Sequence, residues 1–334
     1  MSKNYKLTQF RKMSSEIIAY LKSLHPIVVN SYQGAYGPPT QGHYQAMMFS
    51  AREHIRRYPE GRIVMVYMPT AKSSSKPHLQ PTQEIRIQIL NQYCRKLQDT
   101  FALEGILDNR ILFIASRLEY ELANEGKSTS TINTIMALKT LGCDVTLTMG
   151  LDNLFDLPYW ERVTEYKDIL ANPAIYVPRR FISEEESARL LTPYSSPEIR
   201  FLPQASWNSS KLKPWESVSE ATKAALEILK DRIVLLDYPL PTSSTLLRCA
   251  LYKLYGKSDG EFNPKYVKSV EKLQGFPPSV GDAWHTFYQL TRPYVVKSCE
   301  PKNFNSNFEK SGLKGGRRQT RRRRSYKRRS THRI

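Results

Sequence analysis

Six short apolar, largely β-branched runs recur along this chain, with segments of helical periodicity between them, and that alternation leaves few folds open. The runs are residues 27–29 with Tyr32, 62–68, 111–115, 144–149, 175–177 and 233–236. After the first run and a turn-rich loop, Tyr44, Met47, Met48, Ala51 and Ile55 fall on one face of a helix. Near-continuous apolar strands joined by helices belong to parallel sheets covered on both faces, and parallel strands need right-handed crossovers. The pattern predicts an α/β, doubly wound parallel sheet. Ligands of such sheets bind at the carboxyl edge of the strands, here the loops spanning residues 34–43, 70–81, 116–131 and 150–160.

Two loops carry the chemistry of an anion site. The first loop, Gly34-Ala35-Tyr36-Gly37-Pro38-Pro39-Thr40-Gln41-Gly42-His43, feeds directly into a helix. It therefore offers backbone N–H groups and the positive end of a helix dipole, for which a phosphate is the natural occupant. It lacks the Gly-Lys-Ser/Thr of a Walker loop and the three spaced glycines of the dinucleotide fingerprint. The second, after the run at 233–236, holds Ser243, Ser244, Thr245 and Arg248 at the start of a helix, where hydroxyls, free N–H groups and a guanidinium fork converge. Helix caps are the competing reading of that Ser/Thr cluster. Lys72 and Lys76, in the loop closed by Pro81, can reach a phosphate or remain solvated. Thr82 is expected to cap a helix to about Leu97, with Ile85, Ile89, Tyr93 and Leu97 on one face.

The 334 residues, 40% of them hydrophobic, suffice for one large α/β domain over about 25–300. Residues 1–24 read as a helical extension with Phe10, Met13, Ile17, Leu21 and Leu24 on one side, and 181–215 as an irregular, Ser/Pro/Glu-rich insertion. Ser217-Val218-Ser219-Glu220 reads as a capping box, and residues 263–294 as small packing helices with Trp284, Phe287, Tyr288 and Leu290. The net charge of +19 is lopsided, because residues 311–334 hold eleven basic residues and no acid within a 301–334 tail expected to be disordered. Nucleic-acid attachment and a merely solvated basic end are both open for that tail. No apolar run approaches the roughly 20 residues that span a bilayer, and no signal segment opens the chain. Cys94, Cys143, Cys249 and Cys299 are dispersed without metal-site or disulfide-framework spacing, so an intracellular, cytoplasmic or nuclear setting is expected.

Taken together, Thr40-Gln41-Gly42-His43 and Ser243-Ser244-Thr245-Leu246-Leu247-Arg248 resemble the (H/T)-x-G-H and S-S-T-x-x-R motifs of the nucleotidylyltransferase superfamily. Within it the chain looks like a nicotinamide or nicotinate mononucleotide adenylyltransferase. Gly34-Ala35-Tyr36-Gly37-Pro38 is similar to that family's G-x-F-x-P, and Thr131-Ile132-Asn133-Thr134 to its T-x-(D/E)-T. Gly150-Leu151-Asp152 with Leu157, Pro158 and Trp160 is similar to its G-x-D…(L/F)-P-x-W. The usual Arg-Pro-Gly after the fifth strand stands here as Pro178-Arg179-Arg180. The resemblance implies a Rossmann-like fold and adenylyl transfer from ATP to the mononucleotide, with Mg²⁺ carried by ATP and no dedicated protein metal site. It implies His43, Thr40 and Arg248 as catalytic, and Gly34, Ala35, Tyr36, Gly42, Gly150, Ser243, Ser244 and Thr245 as ATP-binding. Lys72, Lys76, Thr131, Asp152, Trp160, Arg179 and Arg180 would bind the mononucleotide. A superfamily transferase using another phosphorylated acceptor, or a non-catalytic nucleotide-binding homologue tethered to nucleic acid, are the alternatives.

Overall fold

The computed structural model describes residues 14–71, 76–124, 126, 129–180, 218–238, 244–256 and 262–295. Six strands, β1 (Val28–Gly34), β2 (Ile63–Pro69), β3 (Ile111–Ala115), β4 (Asp144–Thr148), β5 (Ile175–Arg180) and β6 (Ile233–Tyr238), form one sheet in the order β3-β2-β1-β4-β5-β6. Every pairing is parallel. This is the doubly wound α/β architecture, and its strand order reverses between β1 and β4. The crevice beyond the carboxyl ends of those two strands is where such folds bind ligands. Tyr32 of β1 lies level with Tyr67 of β2 and Thr148 of β4, and Gly34 with Pro69.

The helices divide into two layers because neighbouring strand residues point to opposite faces. Val29, Val64, Val66 and Val145 face one layer. It contains α1 (Ser14–Ser23), α4 (Leu118–Asn124) and α5 (Thr131–Lys139). Val28, Ile63, Met65 and Ile111 face the other. That layer is built from α2 (Gln41–Arg57) and α3 (Gln83–Leu103). Short segments α6 (Leu151–Asp156) and α7 (Tyr166–Ile169) lead to β5, and α8 (Glu220–Lys230) leads to β6. The chain closes with α9 (Ser244–Tyr255), α10 (Val267–Gln274) and α11 (Ala283–Val295), whose Leu247, Leu251, Val270, Trp284 and Phe287 bury against the α2–α3 layer.

Several local expectations shift. The N-terminal helix is described only from Ser14, where Ile17 and Leu21 are buried as its spacing requires. Thr82 is not a side-chain cap of α3, because its hydroxyl donates backward to the carbonyls of His78 (2.7 Å) and Leu79 (3.2 Å). The helix also continues six residues past Leu97. Ser219 is the cap of α8, accepting from the Thr222 N–H at 3.2 Å. Cys94 and Cys143 are free, whereas Cys249 on α9 is disulfide-bonded, which the dispersed cysteine spacing does not signal. The expected insertion at 181–215 and the basic tail lie outside the described residues. Among the described residues, no helix is long and apolar enough to cross a membrane.

Candidate functional site

The site grows from the end of β1. Gly34 closes the strand, and its carbonyl accepts the Thr70 N–H at 2.9 Å. Tyr36 then turns through a left-handed backbone (φ 45°) and folds its ring back over Gly34, where a Cβ would come within 3.3 Å of the ring. The ring is buried and its hydroxyl donates to the Tyr32 carbonyl at 2.7 Å, so Tyr36 acts as the floor of the loop. Burial, reinforced by the neighbouring Tyr32 and Tyr67 hydroxyls, raises the Tyr36 phenol well above its ordinary value, which keeps it a neutral donor.

The next carbonyls are taken by the C-terminal helices. Arg248 donates to the Gly37 carbonyl, the Ser244 hydroxyl to that of Pro38 at 2.7 Å, and the Trp284 indole to that of Pro39 at 3.4 Å. On the other side Arg86 holds the Ala35 carbonyl at 2.8 Å. Because a trans peptide's N–H points opposite its carbonyl, the bound Gly34 and Ala35 carbonyls turn the Ala35 and Tyr36 N–H groups the other way, whereas Pro38 and Pro39 have none to offer. Among the described residues, the N–H groups of Ala35, Tyr36 and Gly37 meet no protein acceptor. The amino end of α2, with Thr40 in extended conformation as its cap, adds the positive end of a 17-residue helix. Buried or half-buried donors of this kind require a polar occupant.

His43 sits in the first turn of α2. The Thr40 N–H donates to its Nδ1 at 2.9 Å, and the Thr40 hydroxyl lies 2.9 Å from the same nitrogen. A nitrogen that accepts an N–H carries no proton, so the neutral ring holds its hydrogen on Nε2 and offers a donor. Tyr36 packs against the imidazole edge-on with centroids 4.9 Å apart, and the Tyr67 hydroxyl secures the His43 carbonyl at 3.1 Å.

Two further cationic or titratable groups converge on the loop. Burial brings Arg248 down to about 10, so it stays charged at neutral pH. His78 lies against Gly37, its Nε2 only 2.9 Å from where a Cβ would stand there. Burial first, then the charges of Arg248, Arg86 and Lys76, lower His78 to about 4 and keep it neutral.

Of the residues singled out in the sequence, the structure gathers Gly34, Ala35, Tyr36, Thr40, Gly42, His43, Ser244 and Arg248 around this one loop. Thr245 lies on the first turn of α9, and Ser243 and Lys72 fall outside the described residues. Lys76 is exposed ahead of a 3₁₀ turn, Pro77–Leu79. Gly150 caps α6 just beyond β4, and Asp152 lies on that helix's first turn. Thr131 opens α5 and hydrogen-bonds Tyr166. Trp160 is half-buried and packs on Tyr166 with centroids 6.0 Å apart, so it also serves the core. Arg179 and Arg180 end β5, in register with Asp237 and Tyr238. Arg86, His78 and Tyr67 carry no sequence signal as site residues, and the spacing of Trp284 marks it only as packing. Among the described residues, no group of three or more His, Cys, Asp or Glu is placed to hold a metal ion.

No protein-family model matches the chain, and no curated protein matches its sequence. Among solved structures, it is similar to the Plasmodium falciparum nicotinic acid mononucleotide adenylyltransferase complexed with NaAD. That match has 12% identity and a TM-score of 0.38, over 82% of this chain and 98% of that one. It is likewise similar to the same enzyme complexed with APC, at 12% identity and a TM-score of 0.36, with the same coverage.

Proposed function

We propose that this chain is a nucleotidyltransferase that joins ATP to nicotinate or nicotinamide mononucleotide, forming the dinucleotide and releasing pyrophosphate. One observation carries the reading: carbonyls 35 and 37–39 are all bound by side-chain donors, while the N–H groups of residues 35–37, the amino end of α2 and the His43 Nε2–H are left for a ligand. Such a surface suits a polyphosphate and repels a cation. An oxygen of the mononucleotide 5′-phosphate attacks the α-phosphorus, and the bond from that phosphorus to the bridging oxygen of the β-phosphate breaks. A phosphate needs no general base for this, so catalysis is alignment plus stabilisation of negative charge.

In this reading His43 donates to the α-phosphate through Nε2. The Ala35 to Gly37 N–H groups and the start of α2 hold the same group. Arg248, with Ser243, Ser244 and Thr245, holds the outer phosphates. Its planar fork, already bonded to the Gly37 carbonyl, would present the remaining guanidinium edge to those phosphates. Mg²⁺ would sit on phosphate oxygens and water, since the cradle offers donors rather than carboxylates; it would neutralise charge on the departing pyrophosphate. Asp152, Trp160, Thr131, Lys72, Lys76, Arg179 and Arg180 are proposed for the mononucleotide. The test is purified full chain with ATP, Mg²⁺ and each mononucleotide, following dinucleotide and pyrophosphate. Product from one or both is expected, and none from either overturns the proposal.

A further inference from the structure

Arg86 presents an energetic problem that the fold alone does not explain. It lies on α3 with no exposed surface, its Nε has no hydrogen-bond partner among the described residues, and burial lowers its guanidinium below the usual range. Burying a guanidinium costs several kcal/mol, and well-packed apolar residues commonly replace buried ion pairs without loss of stability. Its three bonds show what the charge secures. Nη1 donates to the carbonyls of Ala35 (2.8 Å) and Thr70 (2.9 Å), and Nη2 to that of Leu79 (2.7 Å).

Ala35 and Thr70 are the first residues past the ends of β1 and β2, two neighbouring strands at the ligand edge. In a planar trans peptide the C=O and the following N–H point in opposite directions. Holding the Ala35 carbonyl therefore turns the Tyr36 N–H away from Arg86. The next strand's peptide is gripped at both ends, its Thr70 carbonyl by Arg86 and its Ala71 N–H by the Glu119 carboxyl oxygen at 3.3 Å. Glu119 is itself 3% exposed, and Gln83 takes the Ala71 carbonyl at 2.9 Å. Burial pushes the Glu119 carboxyl up to about 8, against the pull of the Ala71 N–H and Arg86. Lys72 and Lys76 follow directly in the chain.

We propose that Arg86, assisted by Glu119, is a positioning residue that fixes the loop after β1 relative to the loop after β2, and so aligns the two reacting phosphates. The proposal rests on the reading of the site as an adenylyltransferase. Arg86 touches neither substrate; it acts through the Tyr36 N–H on one side and the Thr70–Ala71 peptide on the other. A misplacement of about 1 Å between reacting groups costs roughly a hundredfold in rate. The loss should therefore fall on turnover more than on ATP affinity, because Arg248 and the start of α2 remain to bind ATP.

The full chain is compared with two variants. Arg86→Lys keeps the charge but cannot span three carbonyls. The double variant Arg86→Met with Glu119→Leu removes both ionisable groups at similar volume. Folding is followed by circular dichroism and thermal melting, and kinetics are normalised to folded protein. A kcat lowered about tenfold or more in either folded variant, with the KM for ATP changed less than about threefold, supports the clamp. Unchanged kcat per folded molecule overturns it, as does failure of both variants to fold, which would make Arg86 a folding residue only. If the natural sequence itself yields no dinucleotide, the adenylyltransferase reading fails, and amide hydrogen exchange over residues 34–37 and 70–71 decides the clamp separately. Exchange about tenfold faster in Arg86→Lys than in the natural sequence then supports it, and equal exchange overturns it.

Discussion

At position 43 one backbone hydrogen bond decides the chemistry. With Nδ1 occupied by the Thr40 N–H, the imidazole can only donate from Nε2, so its usefulness to a phosphate is set by its place as the third residue of α2. His43→Ala removes that donor and a contact at the helix start. Loss of a single donor aimed at developing charge costs about 10²–10³ in kcat. The lost helix-end contact should cost only about 1 kcal/mol of stability. Turnover collapsing while the urea midpoint moves little is the expected result; equal collapse of both would make His43 structural. Arg248→Lys tests a different property. Arg248 holds the Gly37 carbonyl and, in the proposed reaction, would also hold the outer phosphates, which a fork can do and a point charge cannot. Its KM for ATP should rise about tenfold, measured by initial rates at saturating mononucleotide.

At the scale of elements, the strands are legible in the sequence because burial on both faces leaves uninterrupted apolar runs, and the loop before α2 and the start of α9 because Gly, Pro, Ser and Thr interrupt the pattern there. What pins α2 to the sheet was not legible, since it is polar. Asn30 Nδ2 donates to the Thr146 hydroxyl at 2.9 Å, and Thr146 lies 2.8 Å from His54 Nε2. His54 Nδ1 donates to the Ser50 carbonyl at 2.7 Å, so Nε2 must accept. The Ser50 hydroxyl meets Thr148 at 3.1 Å, and Thr148 donates to Asn30 Oδ1 at 2.9 Å, which completes a circuit closed through Ser50. Periodicity reads such residues as interruptions, and only the fold shows each satisfied by another. Arg86 left a fainter mark: it precedes Ile89, Leu90 and Tyr93 by three, four and seven residues, on the buried face of α3. The His54 circuit implies a pH dependence. Burial lowers His54 from 6.5 to about 4, outweighing the raising influences of the Ser50 carbonyl and Glu53. The unfolded chain then takes up a proton that the folded one refuses, so this stability is full above 6.5 and lost as pH falls to about 4. The loss is about 3 kcal/mol at about 1.36 kcal/mol per pH unit. Glu119 works in the opposite sense, with its contribution full below 4.5 and lost as pH rises to about 8. Comparison with His54→Gln therefore isolates the histidine: urea stability of the natural sequence should fall more steeply than the variant's between pH 6.5 and 4, and parallel curves would refute the assignment.

The whole molecule brings the two ends of the sequence together to make one cradle. The loop at 37–39 is held by Arg248, Ser244 and Trp284, and the C-terminal helices are themselves anchored to α3, with Tyr93 donating to the Gln274 carbonyl at 2.6 Å and Lys96 to that of Gly275 at 2.8 Å. Gly275 needs its left-handed backbone (φ 81°) there, and a Cβ would fall 1.9 Å from Gln41 Oε1 at the start of α2. Sequence periodicity identifies Trp284 as a packing residue but not that its packing supports a loop near the opposite end of the chain, because long-range partners leave no local pattern. Its two roles can be separated by magnitude. The indole is 1% exposed and packs on Tyr93 and Phe276, whereas its N–H bond to Pro39 is long at 3.4 Å. Trp284→Phe keeps most of the packing and loses the donor, which should cost about 1 kcal/mol. Trp284→Ala opens a cavity and should cost about 3–5 kcal/mol. Both are measured by urea unfolding, with the KM for ATP as the functional readout. If packing supports the cradle, that KM should rise severalfold in the alanine variant and stay near normal in the phenylalanine variant. Equal losses in the two variants would instead mean that the single bond to Pro39 holds the loop.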